Sequence, residues 1–194
     1  MRFSMTCCVA FLVAACLNCA VKAQIGATVT YTSTQLGANS YQYTFTLHNT
    51  GTTDIGTFWI GWTPASLTFY PFDLLPTNAT ITSSASGWAA FNVHDSPYGV
   101  DSIEWYDSGT ALSPGGTLTD FTITTPDSPA TMAGPSILGA SYPVSTAWVY
   151  VGSFQNGSNI SDQGVLAIPA AVPEPTIGLL SSVMMMGLIR RRGK

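Results

Sequence analysis

Two histidines are the side chains of this sequence best suited to acid–base chemistry near neutral pH. His94 is followed directly by Asp95, and a carboxylate in that position can orient an imidazole. His48 falls on the polar side of an alternating segment, which predicts a solvated side chain. A hydrolase also needs an activated nucleophile, and no Gly-x-Ser-x-Gly motif accompanies either histidine. The sequence therefore predicts a non-enzymatic protein, with the His94 and Asp95 pair as the candidate that a catalytic interpretation would need.

Four acidic residues form the densest group of charges in the sequence: Asp95, Asp101, Glu104 and Asp107. Carboxylate oxygens are the ligands that Ca²⁺ prefers in proteins. The spacing matches no EF-hand loop, and the alternation of a strand places Asp101 and Glu104 on opposite faces. A calcium site and a solvated acidic edge both stay open as interpretations. The pattern favours the edge, so no metal or other cofactor is predicted.

The sequence contains five tryptophans, and their rings can either stack on sugars or fill a core: Trp59, Trp62, Trp88, Trp105 and Trp148. Trp59 is the best candidate for an exposed ring. Its neighbours Phe58 and Ile60 occupy the opposite face of the same alternating segment. The sequence therefore predicts that Trp59, among the five, is the residue placed to stack on a glycan.

Basic residues occur only near the two ends of the chain. No lysine or arginine lies between Lys22 and Arg190, whereas nine of the ten acidic residues do, which gives residues 24–171 a formal charge of −9. A protein that binds nucleic acid must neutralise phosphates with lysine or arginine, and docking on anionic lipid headgroups has the same requirement. The charge pattern therefore excludes nucleic acid as a predicted partner.

Residues 24–171 are predicted to form one all-β domain. Residues 27–34 alternate, with Ala27, Val29 and Tyr31 on one face and four threonines on the other, and residues 41–48 repeat the alternation after a Gly-Ala-Asn turn, which predicts a hairpin. Further strands are predicted over residues 57–62, 88–93, 100–106, 118–124, 146–151 and 165–168, with proline and glycine signals between them. No segment keeps a helical period of about 3.6 residues over three turns. This pattern is typical of a two-sheet antiparallel β-sandwich, immunoglobulin-like or jelly roll.

Residues 1–23 are predicted to be a signal peptide. Arg2 precedes an apolar run, and the segment ends in a small-x-small sequence, so cleavage is predicted between Ala23 and Gln24. The apolar run is shorter than the roughly 20 residues that a helix needs to cross a bilayer. All four cysteines lie in this segment. Cys16 follows a Val-Ala-Ala sequence that also fits a lipoprotein box, so lipidation of this residue stays an alternative.

Residues 172–194 carry three elements in a fixed order. The motif Pro173-Glu174-Pro175 is followed by fourteen mostly apolar residues over 176–189 and then by the basic cluster of Arg190, Arg191 and Arg192. The prolines favour an extended peptide, and the arginines stay on the cytoplasmic face of a membrane. Fourteen residues at about 1.5 Å each give about 21 Å, so the apolar segment predicts a short, marginal transmembrane helix.

This tail resembles the PEP-CTERM sorting domain of Gram-negative and related bacteria. The resemblance covers residues 172–194 and implies that exosortase, an integral membrane enzyme of the cysteine-transpeptidase type, recognises Pro173, Glu174 and Pro175. It implies export across the inner membrane to the cell envelope, cell surface or extracellular matrix, with signal peptidase and exosortase as processing partners.

Exosortase systems are associated with exopolysaccharide, and this association sets the expected function. The resemblance therefore implies a non-enzymatic structural or adhesive sandwich in an exopolysaccharide or biofilm matrix. The alternative is a carbohydrate-binding module that uses surface tryptophans.

Overall fold

A computed structural model describes residues 23–64, 71–73, 75, 79–95, 100–136, 141–152 and 164–172. The predicted signal peptide up to Lys22 and the sorting tail from Pro173 onward lie outside these ranges. Ala23 and Gln24, the two residues of the predicted cleavage site, are both exposed. Within the described ranges, no helix has the length and apolar character that crossing a membrane requires.

The chain forms short strands joined by turns, and the elements in chain order have the following bounds. The strands are β1 (Ala27–Gly37), β2 (Ser40–Asn49), β3 (Thr57–Ile60), β4 (Trp62–Pro64), β5 (Pro71–Asp73), β6 (Thr80–Ser83), β7 (Trp88–Asp95), β8 (Val100–Asp107), β9 (Thr117–Thr125), β10 (Ala147–Tyr150), β11 (Gly164–Ala167) and β12 (Ala170–Ala171). The helix α1 (Pro129–Ala133) lies between β9 and β10.

Two five-stranded sheets make up the domain. The first sheet has the order β12-β1-β2-β9-β6, and the second has the order β11-β10-β3-β8-β7. β4 and β5 pair separately. Neighbouring strands are antiparallel except for β12, which pairs with β1 in parallel. The predicted all-β arrangement of two antiparallel sheets is confirmed.

The main core lies between the inner faces of the two sheets. Phe45 of the first sheet contacts Trp105 of the second, with ring centroids 6.4 Å apart, and Phe58 contacts Phe121 at 5.1 Å. All four rings are fully buried, and burying a side chain of this size stabilises a fold by about 1.5–3 kcal/mol. The inward faces predicted for the first two strands are confirmed, because these residues belong to the core: Val29, Tyr31, Tyr43, Phe45 and Leu47.

The single strand predicted over residues 57–62 is wrong, because the chain breaks at Gly61. Gly61 has a φ of 72°, and a Cβ at this position would lie 2.5 Å from Cγ of Leu75. Glycine tolerates both the positive φ and the close approach. The break rotates Trp62 away from the core side and places it against Trp59 instead.

The shortest elements were not predicted from the sequence. Ser128 caps the N-terminus of helix α1, because its side chain accepts a hydrogen bond from the backbone N–H of Thr131. Pro129 is the first residue of the helix. Strands β5, β6 and β12 have two to four residues. Elements of this length are too short to carry a readable periodicity.

Candidate functional site

The outer face of the second sheet carries a row of directly opposed residues that crosses all five strands. In order from β7 to β11, this aromatic row consists of Phe91, Glu104, Trp59, Trp148 and Leu166. Directly opposed residues of antiparallel strands point to the same side of a sheet. Since Phe58, Ile60 and Trp105 of the same strands point into the main core, the aromatic row points away from it.

Further aromatic side chains extend this row into a continuous surface. Tyr106 and Tyr150 stand in the neighbouring cross-strand row, and Trp62 is supplied by β4. The ring centroids of Trp59 and Trp62 are 5.1 Å apart, those of Trp62 and Trp148 are 6.0 Å apart, and Phe91 lies 6.3 Å from Trp59. The aromatic row together with Trp62, Tyr106 and Tyr150 is the aromatic face.

The aromatic face is closed at its centre and open at its flanks. Trp59, Trp62 and Tyr150 are only 2%, 1% and 1% exposed. Phe91 and Trp148, on the two sides of this centre, are half-buried. Half-buried rings still present part of their surface to an incoming molecule. The flanks are therefore the part of the aromatic face that a ligand can reach directly.

The exposure predicted for Trp59 is wrong. Its direction is as expected, opposite to Phe58 and Ile60, but alternation along a strand fixes only the direction of a side chain. The ring of Trp62 packs against Trp59, and the indole is almost fully buried. A ring in this position cannot offer its face to a sugar, and the half-buried Trp148 is the tryptophan that can.

Several polar groups on the outer side of the second sheet are buried without hydrogen bonds. Within the described part of the chain, the indole N–H groups of Trp59 and Trp148 and the hydroxyl of Ser102 have no hydrogen-bond partner. Leaving a buried polar group unsatisfied costs about 1–3 kcal/mol. This side of the sheet therefore combines apolar rings with buried polar groups whose hydrogen-bonding capacity is unused.

Glu104 adds a carboxylate to the centre of this face. Its side chain is 0% exposed and stands between Phe91 and Trp59 in the row. Burial, and then the negative charge of Glu104, raise the pKa of Tyr150 above its ordinary value. No lysine or arginine lies between Lys22 and Arg190.

The prediction that the four acidic residues from Asp95 to Asp107 form a solvated edge is wrong for two of them. Asp101 and Glu104 are both fully buried, although they lie on opposite faces of β8 as expected. Among the residues that the structure describes, no group of three side chains of metal-ligating type could hold a metal ion.

The carboxylate that contacts His94 is that of Asp101, not the adjacent Asp95 of the prediction. The two residues are directly opposed on β7 and β8, and Nδ1 of His94 lies 2.6 Å from Oδ1 of Asp101. The histidine side chain is 49% exposed, whereas Asp101 is buried. Among the described residues, Asp101 is the side chain within hydrogen-bonding distance of His94.

His48 has a structural role that the sequence did not indicate. Its Nδ1 lies 3.0 Å from the backbone oxygen of Gly116 and 2.9 Å from Oγ1 of Thr117. The imidazole is half-buried and links β2 to the start of β9, so the prediction of a freely solvated side chain is wrong.

Neither a family model nor a curated protein matches this sequence. Among solved structures, the unique CBM3 of Hungateiclostridium clariflavum is 10% identical with a TM-score of 0.37, covering 67% of this chain and 94% of that one. The family 3a carbohydrate-binding module from the cipA scaffolding of Clostridium thermocellum is 15% identical with a TM-score of 0.35, covering 74% and 95%. An inactive GH20 exo-β-N-acetylglucosaminidase from Vibrio harveyi is 12% identical with a TM-score of 0.41, covering 76% of this chain and 18% of that chain. At these TM-scores, neither a ligand nor an activity carries over to this chain.

Proposed function

We propose that this chain is an exported, non-enzymatic glycan-binding protein that contacts a polysaccharide through the aromatic face. The observation that carries the proposal is the aromatic row, with half-buried rings beside buried, unsatisfied indole N–H groups. Aromatic rings pack against the apolar C–H faces of sugars, while N–H and O–H groups bind their hydroxyls. This function is the alternative that the sequence left open, and retention in a polysaccharide matrix would follow from it.

The length of the row favours an oligosaccharide chain as the ligand. Phe91 on β7 and Trp148 on β10 are separated by three strand spacings, or about 14 Å at about 4.8 Å per spacing. This separation exceeds the size of one sugar ring. A glycan that touches both flanks must therefore present several sugars in sequence.

The proposal includes delivery to the cell surface by the two ends of the chain. Residues 1–23 would direct export, and residues 172–194 would be the substrate of exosortase. The folded domain extends to the start of this tail, because the backbone N–H of Val172 donates a hydrogen bond to the carbonyl of Tyr31. Intact-mass measurement of the secreted protein tests this part. We expect loss of Arg190, Arg191 and Arg192 in cells with exosortase, and their retention there would contradict the proposal.

Glycan binding is tested by titrating the exported protein with soluble polysaccharides while tryptophan fluorescence and heat are recorded. We expect Trp148→Ala to weaken binding at least about tenfold, the loss of about 1.4 kcal/mol expected for one well-packed aromatic contact. Thr32→Ala is the matched control, since Thr32 is an exposed residue on the outer face of the other sheet.

Two results would count against the proposed function. One is a wild-type protein that binds no glycan in the panel, which would leave a purely structural matrix role. The other is an equal loss of affinity in Thr32→Ala and Trp148→Ala, which would place binding elsewhere on the domain.

A further inference from the structure

The charge of the domain restricts the glycans that can approach the aromatic face. Between residues 24 and 171 there are nine carboxylates and no lysine or arginine. A domain whose charged side chains are all negative creates an electrostatic potential that repels negatively charged polymers and attracts positively charged ones. Recognition of a polymer rich in carboxylates or sulfates would need arginine or lysine donors, and the sandwich has none.

A second restriction is local and comes from Glu104. This residue lies inside the aromatic row, directly opposed to Phe91 on one side and to Trp59 on the other. Charges on the surface are screened beyond about 8 Å at physiological salt, but buried charges are screened much less. An ionised Glu104 would therefore act on a molecule lying across the row at any ordinary ionic strength.

From these two observations we infer that the glycan bound at the aromatic face carries no negative charge and is a neutral or amino-bearing polysaccharide. This inference depends on the proposed function, because it specifies the ligand of the same site. A neutral chain can pack its sugar rings on the half-buried Phe91 and Trp148 without charge repulsion, and an ammonium group gains from the negative potential. A uronate or sulfate chain meets repulsion from the acidic domain as a whole, and an ionised Glu104 would add to it.

The test compares three soluble polymers that differ in charge: hydroxyethyl cellulose, chitosan oligomers and alginate. Affinities of the exported protein and of Trp148→Ala are measured at about 10 mM and about 150 mM salt, where the screening length falls from about 30 Å to about 8 Å. We expect affinity for the neutral polymer to change less than about twofold with salt, because no ion pair is formed. Chitosan should bind more tightly at low salt, and alginate at least about tenfold more weakly than the neutral polymer.

The outcomes separate the inference from the proposed function. If the affinity for alginate equals that for the neutral polymer and falls in Trp148→Ala, the inference is overturned but the proposed glycan binding is supported. Absence of any Trp148-dependent binding overturns the proposed function itself. Chitosan binding that is unchanged in Trp148→Ala is only an electrostatic association with the acidic domain, and it would remove amino-bearing glycans from the inference.

Glu104→Gln tests the local part of the argument, since glutamine has nearly the same shape without the charge. We expect the preference for the neutral polymer over alginate to fall at least about threefold at about 150 mM salt, where distant charges are screened. An unchanged preference in a folded variant would contradict a role for Glu104. If the variant does not fold, the salt titration of the wild-type protein alone decides whether anionic glycans are excluded.

Discussion

The outer faces of the two sheets are built from different residues, although both belong to one sandwich. On the first sheet, rows of threonine face outward, such as Thr32, Thr44 and Thr122 on neighbouring strands. Most of this threonine face is at least partly exposed, and Oγ1 of Thr44 lies 3.3 Å from Oγ1 of Thr122. The second sheet instead carries the aromatic face, which is buried at its centre.

This difference shows which face departs from the usual pattern of a sandwich. An antiparallel sheet with one wet side alternates between apolar and polar residues, as β1 and β2 do. Strands β3 and β8 are instead buried on both sides over most of their length. The outer face of the second sheet thus carries a large cluster of apolar side chains that encloses unsatisfied hydrogen-bond donors. A departure of this kind is expected at a functional site.

The largest expected difference between the two outer faces is in the loss of stability when a side chain is truncated. We expect Trp59→Ala to lower the free energy of unfolding by about 3–5 kcal/mol, because it leaves a cavity among packed rings. Thr32→Ala on the threonine face should cost less than about 1 kcal/mol. Urea unfolding followed by circular dichroism gives both values. A cost below about 1 kcal/mol for Trp59→Ala would mean that the aromatic face is not a packed layer.

A glycine substitution tests how tightly Trp148 is held. A Cβ on Gly164 would collide with Nε1 of Trp148, so Gly164→Ala should displace the indole and cost about 1–3 kcal/mol. Gly37→Ala is the control on the first sheet, where the nearest atom to an added Cβ is 4.0 Å away. The Gly164 variant should also change the tryptophan emission and weaken glycan binding. Equal stability of both variants would show that Trp148 can move without cost.

The smallest expected effect concerns one hydroxyl on each outer face. Ser102→Ala removes an unsatisfied buried group and should leave stability unchanged or raise it by up to about 1 kcal/mol, while glycan affinity should not change because the hydroxyl is fully buried. Thr122→Val removes the hydroxyl that faces Thr44 and should cost about 0.5–1.5 kcal/mol. Thermal unfolding of the two variants, read beside their glycan titrations, makes the comparison. Destabilisation by Ser102→Ala would indicate that this hydroxyl already has a partner.

The strands and their inward faces were accessible from the sequence because alternation is a local property. Residues 27–49 show this best, since the predicted hairpin and its core side are both confirmed. The break at Gly61 was not accessible, because it depends on the approach of Leu75, which is distant in sequence. This single break moved Trp62 to the other side of the sheet.

The candidate site was harder to predict because it depends on pairing between distant strands. The aromatic row unites residues from Trp59 to Leu166, and only the register of five strands shows that they are directly opposed. The burial of Trp59 and Glu104 depends on what covers the sheet, which alternation does not reveal. For the same reason the partner of His94 was assigned to its neighbour in sequence and not to Asp101 across the ladder.

The two-residue strand β12 gives the domain a mechanical property. It pairs with β1 only through Thr30 with Ala170 and Tyr31 with Ala171, whereas the β1–β2 ladder extends along the full hairpin. Tension applied to the chain beyond Val172 would reach this short pair first and peel it from the edge of the first sheet. The released segment would lengthen the tether while the opposite sheet kept its shape. β12 would then yield to a pull on the chain before the load reaches β11, the edge strand of the second sheet.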